Sequence, residues 1–220
     1  LETDFGTIAV TLADTGSDRL IVHCGGNAAD RKTGGVSYLS NLVGVADVFL
    51  FDYPAYGDSE GTVSVQDFAK ANAAVAQYVN SLDYEMRVVW GQSLGGFVCG
   101  ELSQSVANLD AIVFETSASN ARSVAKIWVP WYAKPFMRVK IDADLATYDN
   151  VEIAKNFPGK ILVLGAEMDE VLPVKLSREL ATRIKTAGGN VTYLEFSGAT
   201  HMSVPRQPEF KQQVEQFLHR

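Results

Sequence analysis

Apolar residues fall along this chain in short continuous runs separated by amphipathic stretches of helix length. Six runs are rich in β-branched or aromatic residues and bounded by turn formers, so they predict buried strands: Leu20-Ile21-Val22-His23, Asp47 to Phe51, Val88-Val89 leading to Gly91, Ala111 to Phe114, Ile161 to Gly165 and Val191 to Phe196. Between and after them, helical spacing predicts helices over Tyr38 to Val45, Val65 to Leu82, Phe97 to Val106, Val174 to Lys185 and Glu209 to Leu218. Strands without polar alternation, alternating with helices, predict an α/β fold: a mostly parallel central sheet with helices on both faces. Thr7 to Leu12 alternates loosely and runs into the turn cluster Ala13 to Asp18, predicting an antiparallel strand and hairpin at the start. One segment breaks the rhythm. Residues 117–150 hold Trp128, Pro130, Trp131, Tyr132, Pro135, Phe136 and Met137, and are expected to form a small helical lid at the carboxyl edge of the sheet, where ligands bind in such folds. Trp128 and Trp131 either line an apolar substrate pocket or only seal that edge.

The chain of 220 residues is long enough for one domain, expected over 1–220 with the lid inside it, to bury its core without metal or cross-links. A net charge of −7 argues against a nucleic-acid partner, which would need clustered basic residues. Lys126, Lys134, Arg138 and Lys140 interleave with the aromatic insertion and either face water or touch an anionic surface. No run of about 18 apolar residues exists, so no transmembrane segment is expected. Cys24 and Cys99 have neither a disulfide framework nor metal-ligand spacing and read as free buried thiols, unless the fold brings them together. The first residue is Leu1 rather than Met, which leaves the compartment open between cytoplasmic and exported after loss of a leader. Oligomeric state is not legible.

The candidate chemistry begins at Gly91-Gln92-Ser93-Leu94-Gly95, where an apolar strand stops and a helix-compatible run begins. A serine in so sharp a strand-to-helix turn needs neighbours without bulk two residues either side, and Gly91 and Gly95 supply this. The amide of Leu94, at the positive end of the new helix, would point at whatever Ser93 attacks. A serine hydroxyl needs a base, and there are three histidines. His219 sits at the frayed terminus, and His23 reads as a packed core residue. His201, in the loop Ser197 to Met202 after the last strand, is the favoured base. Its orienting carboxylate is expected from the loop after Ile161 to Gly165, and Asp169 is chosen there; Glu170 suits a cap for the helix starting near Pro173, and Glu115 is a rival.

In this order, nucleophile, acid, histidine, the chain resembles the α/β-hydrolase superfamily, in its small-lid esterase and lipase-like branch, from Leu20 to Leu218. Gly25-Gly26-Asn27-Ala28-Ala29-Asp30 is similar to the family's loop after the first parallel strand, which implies Asn27 as a second backbone donor to the oxyanion beside Leu94. Asp52 to Ser59 resembles the family's supporting loop. The resemblance implies a small ester or acyl substrate cleaved through an acyl-enzyme on Ser93, with peptide or amide hydrolysis, or ligand binding without catalysis, as alternatives. Neither a metal nor a nucleotide cofactor is implied, and the glycines at 25, 26, 95 and 96 do not match a G-x-G-x-x-G phosphate loop.

Overall fold

The computed structural model describes residues 1–35, 40–127, 143 and 145–219. Among the described residues nine strands form: β1 Glu2–Thr3, β2 Gly6–Thr7, β3 Val10–Ala13, β4 Arg19–Cys24, β5 Asp47–Phe51, β6 Met86–Gln92, β7 Ala111–Glu115, β8 Lys160–Ala166 and β9 Val191–Phe196. The first two make a small antiparallel ribbon. The other seven form one sheet in the order β3-β5-β4-β6-β7-β8-β9, parallel except where β3 runs antiparallel to β5.

The continuous apolar runs are explained by burial on both faces. Val22, Phe49, Val89, Ile112 and Val163 point to one side, packing on α1 (Val65–Ser81), α2 (Gly95–Ser103) and α5 (Lys175–Thr186) through Val75, Val79, Val98, Leu102, Leu180 and Ile184. Ile21, Leu50, Trp90, Val113 and Leu162 point to the other, against Leu42 and Val45 and against Phe210, Val214 and Phe217 of α6 (Phe210–His219). The start of α1 is set locally: the Ser64 hydroxyl accepts from the amide of Asp67, and the Asp67 carboxylate accepts in turn from the Thr62 amide. Two short helices frame the insertion, α3 (Ala121–Ala125) and α4 (Asn150–Lys155), each capped by the side chain before it, Asn120 and Asp149.

The structure departs from the sequence reading at four places. The opening alternation splits into β2 and β3, and β3 makes no hairpin with β4: it crosses to pair with β5 at the sheet edge. The helix expected over Tyr38 to Val45 lies partly outside the described residues; its remainder is a short 3-10 turn at Ser40–Leu42, and Leu42 and Val45 reach the core without a regular helix because Gly44 turns the chain at φ +86°. The helix after Ser93 stops at Ser103, three residues early. Cys24 and Cys99 are not free thiols but a disulfide, fully buried, joining the end of β4 to α2. Among the described residues no helix is long and apolar enough to cross a membrane.

Candidate active site

From β4 the chain moves outward to β5, then returns through α1 to β6 on the other side of β4. The connections leaving β4 and β6 therefore diverge, and a crevice opens above their carboxyl ends, the usual ligand position in an open parallel sheet. Ser93 sits at that point, with φ +55°, a left-handed backbone that a serine adopts only under constraint. The constraint is visible. Its amide donates to the carbonyl of Glu115 at 2.9 Å, and its carbonyl accepts from the Ser117 hydroxyl at 2.9 Å and the Gly96 amide at 3.1 Å. A Cβ on Gly91 would overlap the carbonyl of Gly95, and one on Gly95 would overlap the carbonyl of Cys24, so only glycine permits the turn to close this tightly. No side chain caps α2; its first turn closes instead through the Gly96 and Phe97 amides on the carbonyls of Ser93 and Leu94, at 3.1 Å and 3.0 Å.

The loop of Gly25 to Arg31 packs directly on this turn: a Cβ at Gly26 would meet the Gln92 side chain and lie 3.5 Å from the Cβ of Ser93. Asn27 follows, its side-chain oxygen accepting from the Tyr56 hydroxyl at 2.9 Å, and Ala28 turns the chain at φ +58°.

Asp169 and His201 come from the loops after β8 and β9, at the same sheet edge. The imidazole Nδ1 lies 2.8 Å and 2.9 Å from the two carboxylate oxygens of Asp169. In this contact a carboxylate oxygen accepts, so Nδ1 is the donor of the pair and Nε2 is the ring nitrogen turned away from Asp169. Asp169 is itself held by the amides of Val171 (2.9 Å) and Leu172 (2.7 Å), and its side chain is 1% exposed, so neither partner is free to turn away. Gln92 and Met202, the neighbours of Ser93 and His201, touch through Nε2 and Sδ at 3.5 Å.

Other candidates are placed elsewhere. Glu115 is buried and accepts from the Trp90 indole at 2.8 Å, while Asp169 takes the histidine. Glu170 caps no helix; its carboxylate accepts from the His201 amide at 3.3 Å. His219 lies 3.3 Å from Arg19 at the start of β4, the opposite edge of the sheet from Ser93. His23 is buried as expected, and burial pushes its pKa down to about 3, so it is neutral at pH 7. Trp128, Trp131, Lys134, Arg138 and Lys140 lie outside the described residues. Among those described, no group of three or more His, Cys, Asp or Glu is placed to hold a metal. Sequence reasoning left the disulfide open, with free thiols favoured, and missed the ties between Tyr53 or Tyr56 and the 25–31 loop; paired tyrosines in a loop carry no signal of what they hold.

Comparison with known proteins supplies the wider context. Residues 53–220 match the model of the prolyl oligopeptidase family. The chain is 26% identical over 191 residues to the lysophosphatidylserine lipase ABHD12 of Danio rerio, covering 78% of this chain and 50% of that protein. It is 24% identical over 170 residues to the α/β hydrolase domain-containing protein WAV2 of Arabidopsis thaliana, covering 71% and 54%. The chain thus spans about half the length of these curated relatives. Among solved structures it is similar to the esterase Pf2001 of Pyrococcus furiosus, with a TM-score of 0.74 at 17% identity over 99% of this chain and 87% of that one. It is also similar to Est1E of Butyrivibrio proteoclasticus with ferulic acid bound, with a TM-score of 0.69 at 14% identity over 95% and 91%. At these identities the structural likeness is one of fold.

Proposed function

The chain belongs to the prolyl oligopeptidase family of α/β-hydrolases, a fold of hydrolytic enzymes, and from that premise we propose that it is a serine hydrolase cleaving carboxylic esters of small or acyl substrates. The observation that carries the reading is the buried Asp169–His201 pair at 2.8 Å, on the same sheet edge as a serine held at φ +55°. In the proposed reaction the Ser93 hydroxyl oxygen attacks the ester carbonyl carbon while His201 Nε2 takes its proton. The amides of Asn27 and Leu94 hold the oxyanion. As the tetrahedral intermediate collapses, the carbon–oxygen bond to the leaving alcohol breaks and His201 returns the proton to that oxygen. Water, deprotonated by the same imidazole, then releases the acid from Ser93 and restores the enzyme.

Exposed Met168, Val171 and Met202 on the loops bearing Asp169 and His201 favour an acyl group with apolar surface. The lipase relative and the ferulate-bound esterase neighbour support esters over amides. Amide or peptide hydrolysis is the second reading, favoured by the name of the matched family. The 117–150 segment, with Trp128 and Trp131, is proposed as the lid over the acyl group. The buried disulfide supports maturation in an oxidising compartment.

The deciding experiment is a panel of p-nitrophenyl esters of rising chain length set against aminoacyl anilides, with a fluorophosphonate probe to label the nucleophile. Ser93→Ala is expected to abolish both ester turnover and labelling. Undiminished turnover by that variant would rule out Ser93 as nucleophile, and preference for the anilides would move the substrate to amides. A protein that binds ligand yet takes no label would be a receptor on the same scaffold.

A further inference from the structure

An amide aimed at an oxyanion speeds a reaction only if it is fixed before charge develops. The 25–31 loop has little of its own to fix it: within it the Ala29 amide reaches the Gly26 carbonyl at 3.2 Å, and Ala28 occupies a left-handed conformation from which an alanine tends to relax. What holds the loop comes from the segment after β5. The Tyr53 hydroxyl donates to the Gly25 carbonyl at 2.6 Å, and that carbonyl oxygen would lie only 2.5 Å from a Cβ built on Gly95 of the elbow. The Gly25 peptide is therefore caught between a phenol and the turn that carries Ser93. The Tyr53 ring is 2% exposed and packed on three sides by Phe51 (5.5 Å), Tyr56 (5.6 Å) and Phe68 (5.2 Å), so the hydroxyl has one place to be. Two residues further along the loop from Gly25, the Asn27 side chain is tied by Tyr56. At its far end, the buried Asp52 carboxylate accepts from the Arg31 amide at 2.7 Å and pairs with the Arg31 guanidinium at 3.3 Å.

We propose that Tyr53 is the principal positioning residue of the oxyanion hole, with Tyr56 as the second: the two phenols set the distance and direction of the Asn27 amide relative to Ser93 and touch no reacting atom. This rests on the hydrolase reading above. A loop residue displaced by even about 1 Å loses up to about 100-fold in rate, so Tyr53→Phe, which keeps the ring and deletes one hydroxyl, is expected to lower kcat on a p-nitrophenyl ester about 10- to 100-fold with KM changed less than about 3-fold. Its affinity for a trifluoromethyl ketone, whose hemiketal oxyanion occupies the hole, should fall by the same factor as kcat/KM. Its affinity for the corresponding alcohol, which places no negative oxygen there, should not change. A residue that served stability alone would lower the melting temperature and leave these ratios alone, and that outcome overturns the proposal. Should Tyr53→Phe fail to fold, Tyr56→Phe takes the same three measurements from a half-exposed site, with a smaller fall in kcat expected and unchanged ratios again refuting the idea. Wild-type protein run alongside separates the two levels: no turnover and no fluorophosphonate label would sink the hydrolase reading itself, whereas active, labelled wild type with an equally active Tyr53→Phe sinks only the positioning role.

Discussion

Replacing both cysteines by alanine tests the disulfide quantitatively. Cys24 and Cys99 are separated by 75 residues, and closing a loop of that length in the unfolded chain removes roughly 15 cal/mol/K of entropy, or about 4.5 kcal/mol at 25 °C in the chain-entropy treatment. The two sulfurs are fully buried between β4 and α2, and their loss also opens a small void. Against a typical domain stability of about 5–15 kcal/mol, the double variant is expected to lose about a fifth or more. The assay is equilibrium urea unfolding of oxidised wild type and of Cys24→Ala/Cys99→Ala, with thiols titrated in denaturant. The midpoint should fall by an amount equivalent to about 3–5 kcal/mol, and the slope should rise, because a chain without the cross-link exposes more surface when unfolded. Two titratable thiols in the air-oxidised wild type, or a stability within about 1 kcal/mol of the variant's, would refute the reasoning.

Two further perturbations act at single residues. Asp169→Asn still accepts from the amides of Val171 and Leu172 but turns an amide donor toward His201 Nδ1, favouring the ring tautomer that protonates Nε2; ester kcat is expected to fall about 10³- to 10⁴-fold with the melting temperature nearly unchanged, and a loss under about 10-fold in steady-state assays would reject its role. His23 is neutral in the fold, with its pKa lowered to about 3 by burial, while in the unfolded chain it protonates near 6.5. The unfolded state thus binds the extra proton below pH 6.5, and stability should drop by up to about 1.4 kcal/mol per pH unit from there toward pH 4.5; His23→Gln should flatten that slope in denaturation curves collected across the window, and an unaltered slope counts against the assignment.

The elements that could be read beforehand are those whose cause is local. Continuous β-branched runs announce strands buried on both faces, and Gly91 with Gly95 announces a turn that must bring backbone against backbone. Asp169 and His201 stand out in the sequence by their places in the loops after the last two strands, and the buried contact between them follows from β8 and β9 being parallel neighbours with their loops on one edge. What could not be read depends on pairing across long separations. Nothing around Val10–Ala13 indicates that it skips β4 to meet β5, and nothing near Cys24 indicates that β4 and α2 pack closely enough to bring Cys99 beside it. Leu42 and Val45 satisfy a helical spacing by being buried, yet Gly44 shows that burial does not require the helix. The caps at Asn120 and Asp149 were hidden by the aromatic content of the segment between them; they are joined by an isolated bridge that only the folded chain creates.

Position 93 carries a conformation that glycine occupies without steric penalty. A chain with glycine there would be relieved by more than the added freedom of its unfolded form, and so would be sturdier than the native one while lacking the hydroxyl on which the proposed chemistry turns. Breeding this scaffold for heat tolerance alone would therefore gather inert descendants. Any campaign toward a hardier catalyst must score survival and turnover on the same clones.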